Sequence, residues 1–344
     1  MNNLITGGAG FIGVNLAAKL LEAGESVTIF DNLSRRGTEL NLSWIQKTYP
    51  KVTFIQGDLR EYEKLLKAVT GMDVVFHLAG QVAVTTSVTD PRDDFEINLL
   101  GTFNVLEAVR AQKVRPIVMY SSTNKVYGDL ADLEVVETKT RYQFKKHKEG
   151  VTEMQPLDFH SPYGCSKGGA DQYVRDYSRI YDMPTVVFRQ SCIYGPHQFG
   201  IEDQGWVAWF AIATKVGKPI TVYGNGKQTR DILFVEDLCD AYLMAVKNIK
   251  KTAGQIYNIG GGLDNSISVW FEFREILEKT LKTELKPAFS DWRPGDQPIF
   301  ICDTSKAYTD FKWKPKTSKE KGIKKMIDWI DENLEQIKDI FNGK

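Results

Sequence analysis

A tyrosine and a lysine stand four residues apart at the start of a segment with helical periodicity. At that spacing the side chains of Tyr163 and Lys167 project from the same face of a helix. The pKa of a tyrosine hydroxyl is ordinarily about 10, and a nearby ammonium favours the phenolate and provides a base near neutral pH. Tyr142 and Lys146 have the same spacing, but they lie in a polar stretch without helix signals, so we interpret them as surface residues. The sequence therefore predicts acid–base chemistry at Tyr163 and Lys167.

A run of hydroxyl residues follows the fifth predicted strand. The run is Ser121-Ser122-Thr123, directly after the strand residues Arg115–Tyr120. A hydroxyl at Thr123 is placed to share with Tyr163 the hydrogen bonds to one substrate oxygen. We therefore predict Thr123, Tyr163 and Lys167 as the catalytic residues.

Three glycines follow the first predicted strand and open the first predicted helix. Gly7, Gly10 and Gly13 have the spacing GxxGxxG, with Phe11 and Ile12 between the last two. Glycine there permits a tight turn, lets the backbone approach a pyrophosphate and brings the helix close to the sheet. The helix N-terminus then faces the anion. Because the triplet lies between a strand and a helix, we predict that these five residues bind a dinucleotide.

An acidic residue ends the second predicted strand, where a carboxylate can accept hydrogen bonds from adenosine ribose hydroxyls. This residue is Asp31, and Asn32 follows it. The carboxylate would repel a 2′-phosphate, so we predict NAD rather than NADP as the cofactor. Arg35 and Arg36 follow closely, and we interpret both as solvated surface residues.

The ends of the third and fourth predicted strands complete the expected cofactor site, because ligands of doubly wound sheets lie at the carboxyl ends of the strands. The residues at or just after these two strand ends are Asp58, Leu59, Leu78, Ala79 and Gly80. His77 lies in the fourth strand, and we interpret it as a packed strand residue rather than a catalyst.

Short apolar runs alternate with segments of helical periodicity, which is the pattern of βαβ units and a parallel sheet. The predicted strands are Asn2–Thr6, Ser26–Phe30, Val52–Gln56, Asp73–Leu78 and Arg115–Tyr120. The predicted helices are Phe11–Ala23, Glu61–Val69, Pro91–Ala111 and Pro162–Tyr181. We predict an α/β fold, a doubly wound parallel sheet of the Rossmann type with a smaller C-terminal substrate-binding subdomain.

The third predicted helix begins at Asp90-Pro91, a capping residue followed by proline at the first helical position. Its helical spacing predicts a broad apolar face made of Phe95, Leu99, Thr102, Phe103, Leu106 and Val109. The fourth helix has apolar residues at Ala170, Tyr173, Val174, Tyr177 and Ile180.

The chain is expected to divide near residue 190. Residues 1–190 are predicted to form the NAD-binding domain, and residues 191–344 mainly the smaller substrate-binding subdomain. Asp231–Val235 and Gln255–Ile259 are predicted as elements that return to the first domain. Residues 129–160 are polar with little periodicity, so we interpret them as a long excursion rather than a linker.

The composition excludes several classes of protein. Lys and Arg number 44 and so do Asp and Glu, so the chain has no net positive field to hold nucleic acid. No apolar run approaches the roughly 20 residues that span a bilayer. Four cysteines without CxxC spacing and four scattered histidines predict no metal site. Because a strand is predicted to begin within three residues of Met1, we expect no signal peptide and a cytoplasmic protein.

These features together resemble the extended short-chain dehydrogenase/reductase superfamily. The resemblance covers nearly the whole chain and includes Tyr194-Gly195-Pro196 and Asn225-Gly226 followed by Arg230-Asp231. It implies that Tyr163 and Lys167 also contact NAD. It further implies that the chain oxidises and reduces, epimerises or dehydrates a sugar attached to a nucleotide.

The two residues after Thr123 select among these reactions. Nucleotide-sugar 4,6-dehydratases carry an Asp-Glu pair there, because eliminating water needs a carboxylic acid and a carboxylate near the reacting carbons. Asn124 and Lys125 occupy these positions in this chain. Since neither an amide nor a protonated amine supplies that chemistry, epimerisation or simple redox is favoured over dehydration.

Several separated blocks resemble the family of CDP-paratose 2-epimerases, also called CDP-tyvelose 2-epimerases. The blocks are Gln81–Ser87, Ser122–Gly128, Leu157–Lys167 and Asp203–Trp206. The resemblance implies a tightly held NAD that oxidises C2 of a CDP-linked 3,6-dideoxyhexose and returns the hydride to the opposite face. The expected reaction is CDP-paratose to CDP-tyvelose, with CDP-glucose converted more slowly to CDP-mannose. A nucleotide-sugar 4-epimerase, an NAD-dependent nucleotide-sugar dehydrogenase and a non-enzymatic nucleotide sensor stay open as alternatives.

The same resemblance implies how the substrate is held. Arg230 and Arg293 are expected to clamp the diphosphate, because a planar guanidinium binds phosphate oxygens bidentately. Thr123 and Asn124 are expected to contact the sugar. The resemblance also implies a homodimer or homotetramer in which the helices Pro91–Ala111 and Pro162–Tyr181 pair between subunits.

Overall fold

The computed structural model describes residues 1–293 and 295–342. Its strands and helices, in chain order, are β1 (Asn2–Thr6), α1 (Phe11–Glu22), β2 (Ser26–Asp31), α2 (Thr38–Thr48), β3 (Thr53–Gln56), α3 (Tyr62–Val69), β4 (Val74–His77), α4 (Val84–Thr89), α5 (Pro91–Phe95), a π-helical turn (Glu96–Leu100), α6 (Gly101–Arg110), β5 (Ile117–Thr123), a 3₁₀ turn (Asn124–Tyr127), β6 (Val135–Glu137), β7 (Tyr142–Phe144), α7 (Ser161–Tyr181), β8 (Thr185–Gln190), β9 (Cys192–Tyr194), α8 (Trp206–Lys215), β10 (Thr221–Tyr223), β11 (Thr229–Phe234), α9 (Val235–Lys247), α10 (Ile249–Thr252), β12 (Ile256–Ile259), β13 (Ser266–Ser268), α11 (Phe271–Leu281), β14 (Ala288–Ser290), β15 (Ile299–Phe300), α12 (Ser305–Phe311), α13 (Lys319–Glu332) and α14 (Leu334–Asn342).

Seven parallel strands form the largest sheet, in the order β12-β8-β5-β4-β1-β2-β3. The order runs outward in both directions from the pair β1 and β4, so a crevice opens beside the carboxyl ends of these two strands. Apolar residues of α1, α2 and α9 cover one face of the sheet, and those of α3, α6 and α7 cover the other. The predicted doubly wound parallel sheet is confirmed.

Most predicted elements lie within two residues of their observed bounds. Two helices of residues 1–190 are not predicted by the sequence, namely the short α4 and α2, which buries only Leu42 and Ile45 among its apolar residues. Two buried apolar residues give too short a periodic pattern to stand out from a loop. The cap predicted for the helix after Asp90 is present, since the Asp90 carboxylate accepts from the backbone N–H of Asp93 at 3.0 Å.

The third predicted helix is not continuous, and its predicted apolar face is partly wrong. The π-helical turn separates α5 from α6, and the extra residue it adds per turn rotates the α5 face relative to α6. Asp94 and Asn98 are consequently buried, whereas Phe95 and Phe103 are 52% and 38% exposed.

Helix α7 buries one side and exposes apolar residues on another. Ala170, Val174 and Tyr177 pack against the central sheet, as the periodicity predicts. Tyr173 and Ile180 are 47% and 63% exposed, so the sheet covers only part of the predicted apolar face.

A second sheet lies beyond the central one and contains β11, β13, β15 and β9. Strand β11 belongs to this sheet, while Leu233 and Val235 of the segment Asp231–Val235 pack in the core of the central sheet. The following helix α9 and strand β12 do join the central sheet and its core. The strand β11 pairs with β9 instead, which places Arg230 of β11 beside the crevice.

The polar excursion 129–160 folds back onto the chain. Its few apolar residues, including Leu133, Phe144 and Val151, pack against Ile299–Cys302. Val151 also forms a backbone bridge with Cys302. Among residues 1–293 and 295–342, no helix combines the length and apolar character needed to cross a membrane.

Candidate active site

One cavity of about 380 Å³ lies at the carboxyl ends of the central strands, and many of the predicted site residues line it. Its walls include residues from all three predicted sets, namely Phe11, Ile12, Leu78 and Gly80 for the cofactor, Thr123, Tyr163 and Lys167 for catalysis, and Asn124, Arg230 and Arg293 for the substrate. The fold therefore brings together residues that are far apart in the chain.

The glycine loop has no room for side chains at the predicted positions. Gly7 has φ of +71°, and a Cβ on it would lie 2.7 Å from the backbone N of Ala79. A Cβ on Gly13 would lie 2.2 Å from the carbonyl oxygen of Gly7. Gly10 is the residue before α1, so the free N–H groups of that helix face the loop. The loop thus leaves bare backbone and a helix N-terminus at the crevice.

Asp31 lies at the end of β2 beside the same loop. Its carboxylate accepts hydrogen bonds from the N–H groups of Ala9 at 3.0 Å and Leu33 at 2.8 Å. Burial raises the pKa of this carboxyl above its ordinary value, while these hydrogen bonds oppose the shift. The carboxylate is therefore held in place at the edge where a ribose of a dinucleotide would lie.

Asn32, Asp58 and Leu59 lie outside the walls of the large cavity. Asn32 donates to the Asp58 carboxylate at 2.8 Å. Hydrogen bonding from Arg60 lowers the pKa of Asp58 to about 2, so this carboxylate is ionised. Leu59 is buried, and a Cβ on Gly101 would lie 2.9 Å from it. These residues stay predictions as cofactor contacts.

The residues at the crevice fit NAD. The glycine loop offers backbone N–H groups to a pyrophosphate, Asp31 offers a carboxylate to a ribose, and Leu78 and Gly80 line the path to Tyr163. Among the described residues, no group of three His, Cys, Asp or Glu side chains gathers as a metal site would require.

Tyr163 and Thr123 lie next to each other in the wall of the cavity. Burial raises the pKa of Tyr163 to about 12, and the hydrogen bond from Thr123 opposes this shift. The prediction that Lys167 lowers the pKa of Tyr163 is therefore not met in this structure. The physical reason is desolvation, because both side chains are almost fully buried and each charged form loses its contact with water.

Lys167 is anchored to the strand that carries Thr123. Its ammonium donates to the carbonyl oxygen of Ser121 at 2.6 Å and lies 4.4 Å from the ring centre of Tyr120. Burial lowers the pKa of Lys167 to about 7, and the nearby carboxylates of Asp171 and Asp94 oppose the shift. The lysine thus fixes α7 against β5. With a pKa of about 7, its ammonium can lose and regain a proton near neutral pH.

A buried ion pair lies one helical turn beyond Lys167. The Arg189 guanidinium binds both carboxylate oxygens of Asp171 at 2.9 Å. Ser122 donates to the same carboxylate at 2.8 Å, and Arg189 donates to the hydroxyl of Tyr127 at 3.1 Å. The spacing of Asp171 four residues after Lys167 is a sequence signal that could have identified it.

A second buried polar group was missed by the sequence analysis. The Asp94 carboxylate accepts from the Ser166 hydroxyl at 2.5 Å and from the Asn98 amide at 3.0 Å. Asn98 also donates to the carbonyl oxygen of Gln81 at 3.1 Å. The π-helical turn that carries Asn98 creates this junction, and nothing in the local sequence predicts such a turn.

His77 is a packed strand residue, as predicted. It is 1% exposed, and its ring nitrogens lie 2.8 Å from the Thr6 hydroxyl and 2.9 Å from the Thr102 hydroxyl. Burial lowers its pKa to about 3, so the ring is neutral near pH 7.

The predicted substrate arginines both reach the cavity. Arg230 is 6% exposed and binds the Asp296 carboxylate at 2.7 Å. Arg293 pairs with Asp203 at 3.0 Å, and its guanidinium lies 3.8 Å from the ring centre of Tyr223. Asn124 is buried between the catalytic strand and this region, where it donates to Gln297 at 3.4 Å.

Three further side chains lie at the cavities although the sequence analysis gave them no such role. Lys125 and Trp206 line the large cavity. Arg35, interpreted as a surface residue, hydrogen-bonds to Gln204 and lines a smaller cavity of about 80 Å³ beside Gly10. These contacts bring together segments that are distant in sequence, so no local pattern indicates them.

The fold and site are those of the extended short-chain dehydrogenase/reductases, with a dinucleotide loop at the switch point and a Thr–Tyr–Lys group beside it. The chain belongs to the GDP-mannose 4,6 dehydratase family, whose sequence model matches residues 4–326. It is 46% identical over 336 residues to the CDP-paratose 2-epimerase of Salmonella typhi, covering 96% of this chain and 99% of that protein. This similarity confirms the family resemblance predicted from the sequence.

Solved structures of nucleotide-sugar epimerases have the same fold. The UDP-glucose 4-epimerase of Thermotoga maritima, solved with UDP-glucose, is similar with a TM-score of 0.83 at 29% identity, over 97% of this chain and 100% of that one. The UDP-glucuronic acid 4-epimerase of Bacillus cereus, solved with UDP-glucuronic acid and NAD, has a TM-score of 0.83 at 28% identity, over 96% of this chain and 99% of that one.

The lowered pKa of Lys167 makes a prediction about stability in nucleotide-free protein. Between pH 7 and 10.5 the unfolded lysine binds a proton that the folded one has lost. The free energy of unfolding should therefore rise with pH in this window, by up to about 1.4 kcal/mol per pH unit relative to Lys167→Met. Urea denaturation of both proteins across this range measures the difference.

The same experiment contains its own control. Below pH 6 the lysine is protonated in both folded and unfolded wild-type protein, so the two stability curves should run parallel there. Parallel curves above pH 7 as well would contradict the lowered pKa.

Proposed function

We propose that the protein is an NAD-dependent nucleotide-sugar epimerase that inverts C2 of a CDP-linked hexose through a transient 2-keto sugar. The observation that supports it most is the convergence of Thr123, Tyr163 and Lys167, in one cavity, with the walls of the dinucleotide site and with Arg230. This arrangement serves hydride removal and return next to a bound diphosphate.

The residues of the chain supply the acid–base half of the reaction. Thr123 and Tyr163 hold the C2 hydroxyl between them, and Tyr163 accepts its proton when the carbon is oxidised. The Lys167 ammonium donates to the carbonyl oxygen of Ser121 and so holds α7, which carries Tyr163, against β5. NAD held by the glycine loop and Asp31 would supply an acceptor for the C2 hydride and a donor for its return to the opposite face, and its positive charge would favour the ionised form of Tyr163. Tyr163 returns the proton to the oxygen when the keto group is reduced.

Asn124 and Lys125 argue against dehydration, although the family takes its name from a dehydratase. Both side chains line the cavity directly after Thr123. An amide and an ammonium at these positions provide no carboxylic acid and carboxylate pair to remove water. Epimerisation is therefore the favoured reaction, and the 46% identical relative is named for inversion at C2.

The substrate proposal follows the same relative. We propose CDP-paratose as the substrate and CDP-tyvelose as the product. A pocket shaped for a deoxy sugar rejects an added hydroxyl only by about a hundredfold in comparable apolar sites. CDP-glucose should therefore be converted to CDP-mannose, more slowly and with the same dependence on Tyr163.

Tyr163→Phe tests the proposed base in an assay without added cofactor. Purified wild-type protein should convert CDP-paratose to CDP-tyvelose with no net NADH, because the hydride is returned within one turnover. Loss of the Tyr163 hydroxyl should lower turnover by about a hundredfold to ten-thousandfold and leave the bound NAD content unchanged. Product NMR and NADH absorbance measure both quantities.

Tyr142→Phe is the matched control, since Tyr142 has the same four-residue spacing to a lysine but lies in β7. It should keep nearly normal turnover. Normal turnover of Tyr163→Phe would remove the proposed base. A stoichiometric keto-sugar with NADH would instead indicate a dehydrogenase, inversion at C4 a 4-epimerase, and no conversion a nucleotide sensor.

We also propose that the protein is a homodimer or homotetramer built through α5, α6 and α7. The apolar side chains of Phe95, Phe103, Tyr173 and Ile180 are exposed on these helices, and the Phe103 and Tyr173 rings meet edge to face at 6.1 Å. Exposed apolar patches of this kind mark interaction surfaces. A second copy of the chain would bury them in an isologous contact.

Light scattering at micromolar concentration tests the oligomer. The wild-type mass should be that of a dimer or tetramer, and Phe103→Arg should shift it toward the monomer. Met154→Arg is the control, because Met154 is 88% exposed but lies in the excursion outside these helices. A monomeric wild-type protein would contradict the proposal.

We keep the cytoplasm as the proposed location. The four cysteines are free thiols, which is typical of a reducing compartment.

A further inference from the structure

Lys125 extends from the catalytic segment toward the predicted diphosphate arginine. It follows Thr123 by two residues, and its ammonium donates to the carbonyl oxygen of Gly295 at 3.0 Å. The same ammonium lies 3.9 Å from Oδ1 of Asp296. Arg230 binds that same Oδ1 atom at 2.7 Å. Two cations therefore converge on one carboxylate oxygen in the wall of the cavity.

The charges of this group do not balance. Lys125 and Arg230 carry two positive charges, and Asp296 supplies one negative charge. The Arg230 side chain is 7% exposed and that of Lys125 is 22% exposed, so water screens the remaining charge poorly. Burial lowers the pKa of Lys125, and the Asp296 carboxylate opposes this shift. An anionic group between the two cations would restore the balance.

We propose that Lys125 binds the substrate phosphate that is attached to the sugar, as the partner of Arg230 in a two-cation diphosphate site. The phosphate in question is the β-phosphate of the nucleoside diphosphate, because Lys125 is adjacent to the residues that hold the sugar. The α-phosphate lies on the nucleoside side and is left to the arginines.

This role explains two properties with one residue. With a lysine at this position, the chain lacks the carboxyl group that dehydration needs. The lysine also donates a charge-assisted hydrogen bond to the phosphate that joins the nucleotide to the sugar. The proposal rests on the proposed function in one respect, namely that the substrate is a nucleoside diphosphate sugar. The proposal does not depend on which nucleobase the substrate carries or on which sugar carbon is inverted.

Lys125→Gln tests the proposal in enzyme saturated with NAD. Glutamine keeps a hydrogen-bond donor for the Gly295 carbonyl but carries no charge. The dissociation constant of CDP, measured by calorimetry, should rise by about tenfold to a hundredfold. The dissociation constants of CMP and cytidine should stay within about twofold, because neither ligand has a β-phosphate. Lys125→Arg should restore most of the CDP affinity.

Lys227→Met is the matched control. Lys227 pairs with Glu137 and lies outside the walls of the cavity, so its loss should leave CDP binding unchanged. Equal weakening of CDP, CMP and cytidine in Lys125→Gln would overturn the proposal, because Lys125 would then act by supporting the loop at Gly295. Unchanged CDP binding would also overturn it.

The test separates this proposal from the proposed function. The series is repeated with UDP and UMP and with dTDP and dTMP. If wild-type enzyme prefers one of these pairs to CDP and CMP, cytosine is the wrong nucleobase for the substrate. The contrast between diphosphate and monophosphate then still decides the role of Lys125. If wild-type enzyme binds no nucleoside diphosphate, both proposals fall.

Discussion

The buried ion pair between Asp171 and Arg189 is the constraint on which the geometry of the active site depends. It joins α7 to β8, and the hydroxyl of Ser122 ties β5 to the same carboxylate. Two of these elements carry a predicted catalytic residue nearby: Thr123 of β5 is next to Ser122, and Lys167 of α7 lies one turn before Asp171. Removing one partner of such a pair leaves an uncompensated buried charge, which costs about 3–5 kcal/mol. The network thus fixes the positions of Thr123 and Lys167 relative to each other, because it joins β5 to α7.

Three cationic side chains line the cavity, of which Lys167 and Arg230 are buried and Lys125 is half-buried. Lys167 lies near the dinucleotide site, and Lys125 and Arg230 lie toward the expected diphosphate. Because each of these cations has lost most of its contact with water, an anion or dipole of a bound ligand would stabilise its charged form. Ligand binding and catalysis therefore draw on the same electrostatic property. The glycine loop contributes in the same way, because its bare N–H groups offer partial positive charge at the helix N-terminus.

The sequence predicted what depends on local pattern. Strand and helix periodicity located the central sheet, and parallel strands with glycine after the first of them placed the dinucleotide site at one edge. Helix signals and the preceding run Ser121–Thr123 distinguish Tyr163 and Lys167 from Tyr142 and Lys146. The structure places the second pair in and after a short strand. The strand ends then brought Thr123 to Tyr163, as expected for a parallel sheet.

What the sequence did not predict depends on contacts between distant segments. The junction of Asp94 and Ser166 joins residues 72 positions apart, and the π-helical turn that aligns Asn98 with it breaks the very periodicity used for prediction. The raised pKa of Tyr163 likewise follows from burial, which residue spacing alone does not report.

In the proposed mechanism, the hydrogen on C2 leaves and returns as a hydride within one enzyme molecule. NMR of the product formed from CDP-paratose in D2O buffer tests this mechanism. We expect CDP-tyvelose whose C2 carries no deuterium, because the hydride does not exchange with solvent and Tyr163 moves only the hydroxyl proton. Deuterium at C2 would mean that a base removes the hydrogen from carbon as a proton, and it would contradict the redox mechanism.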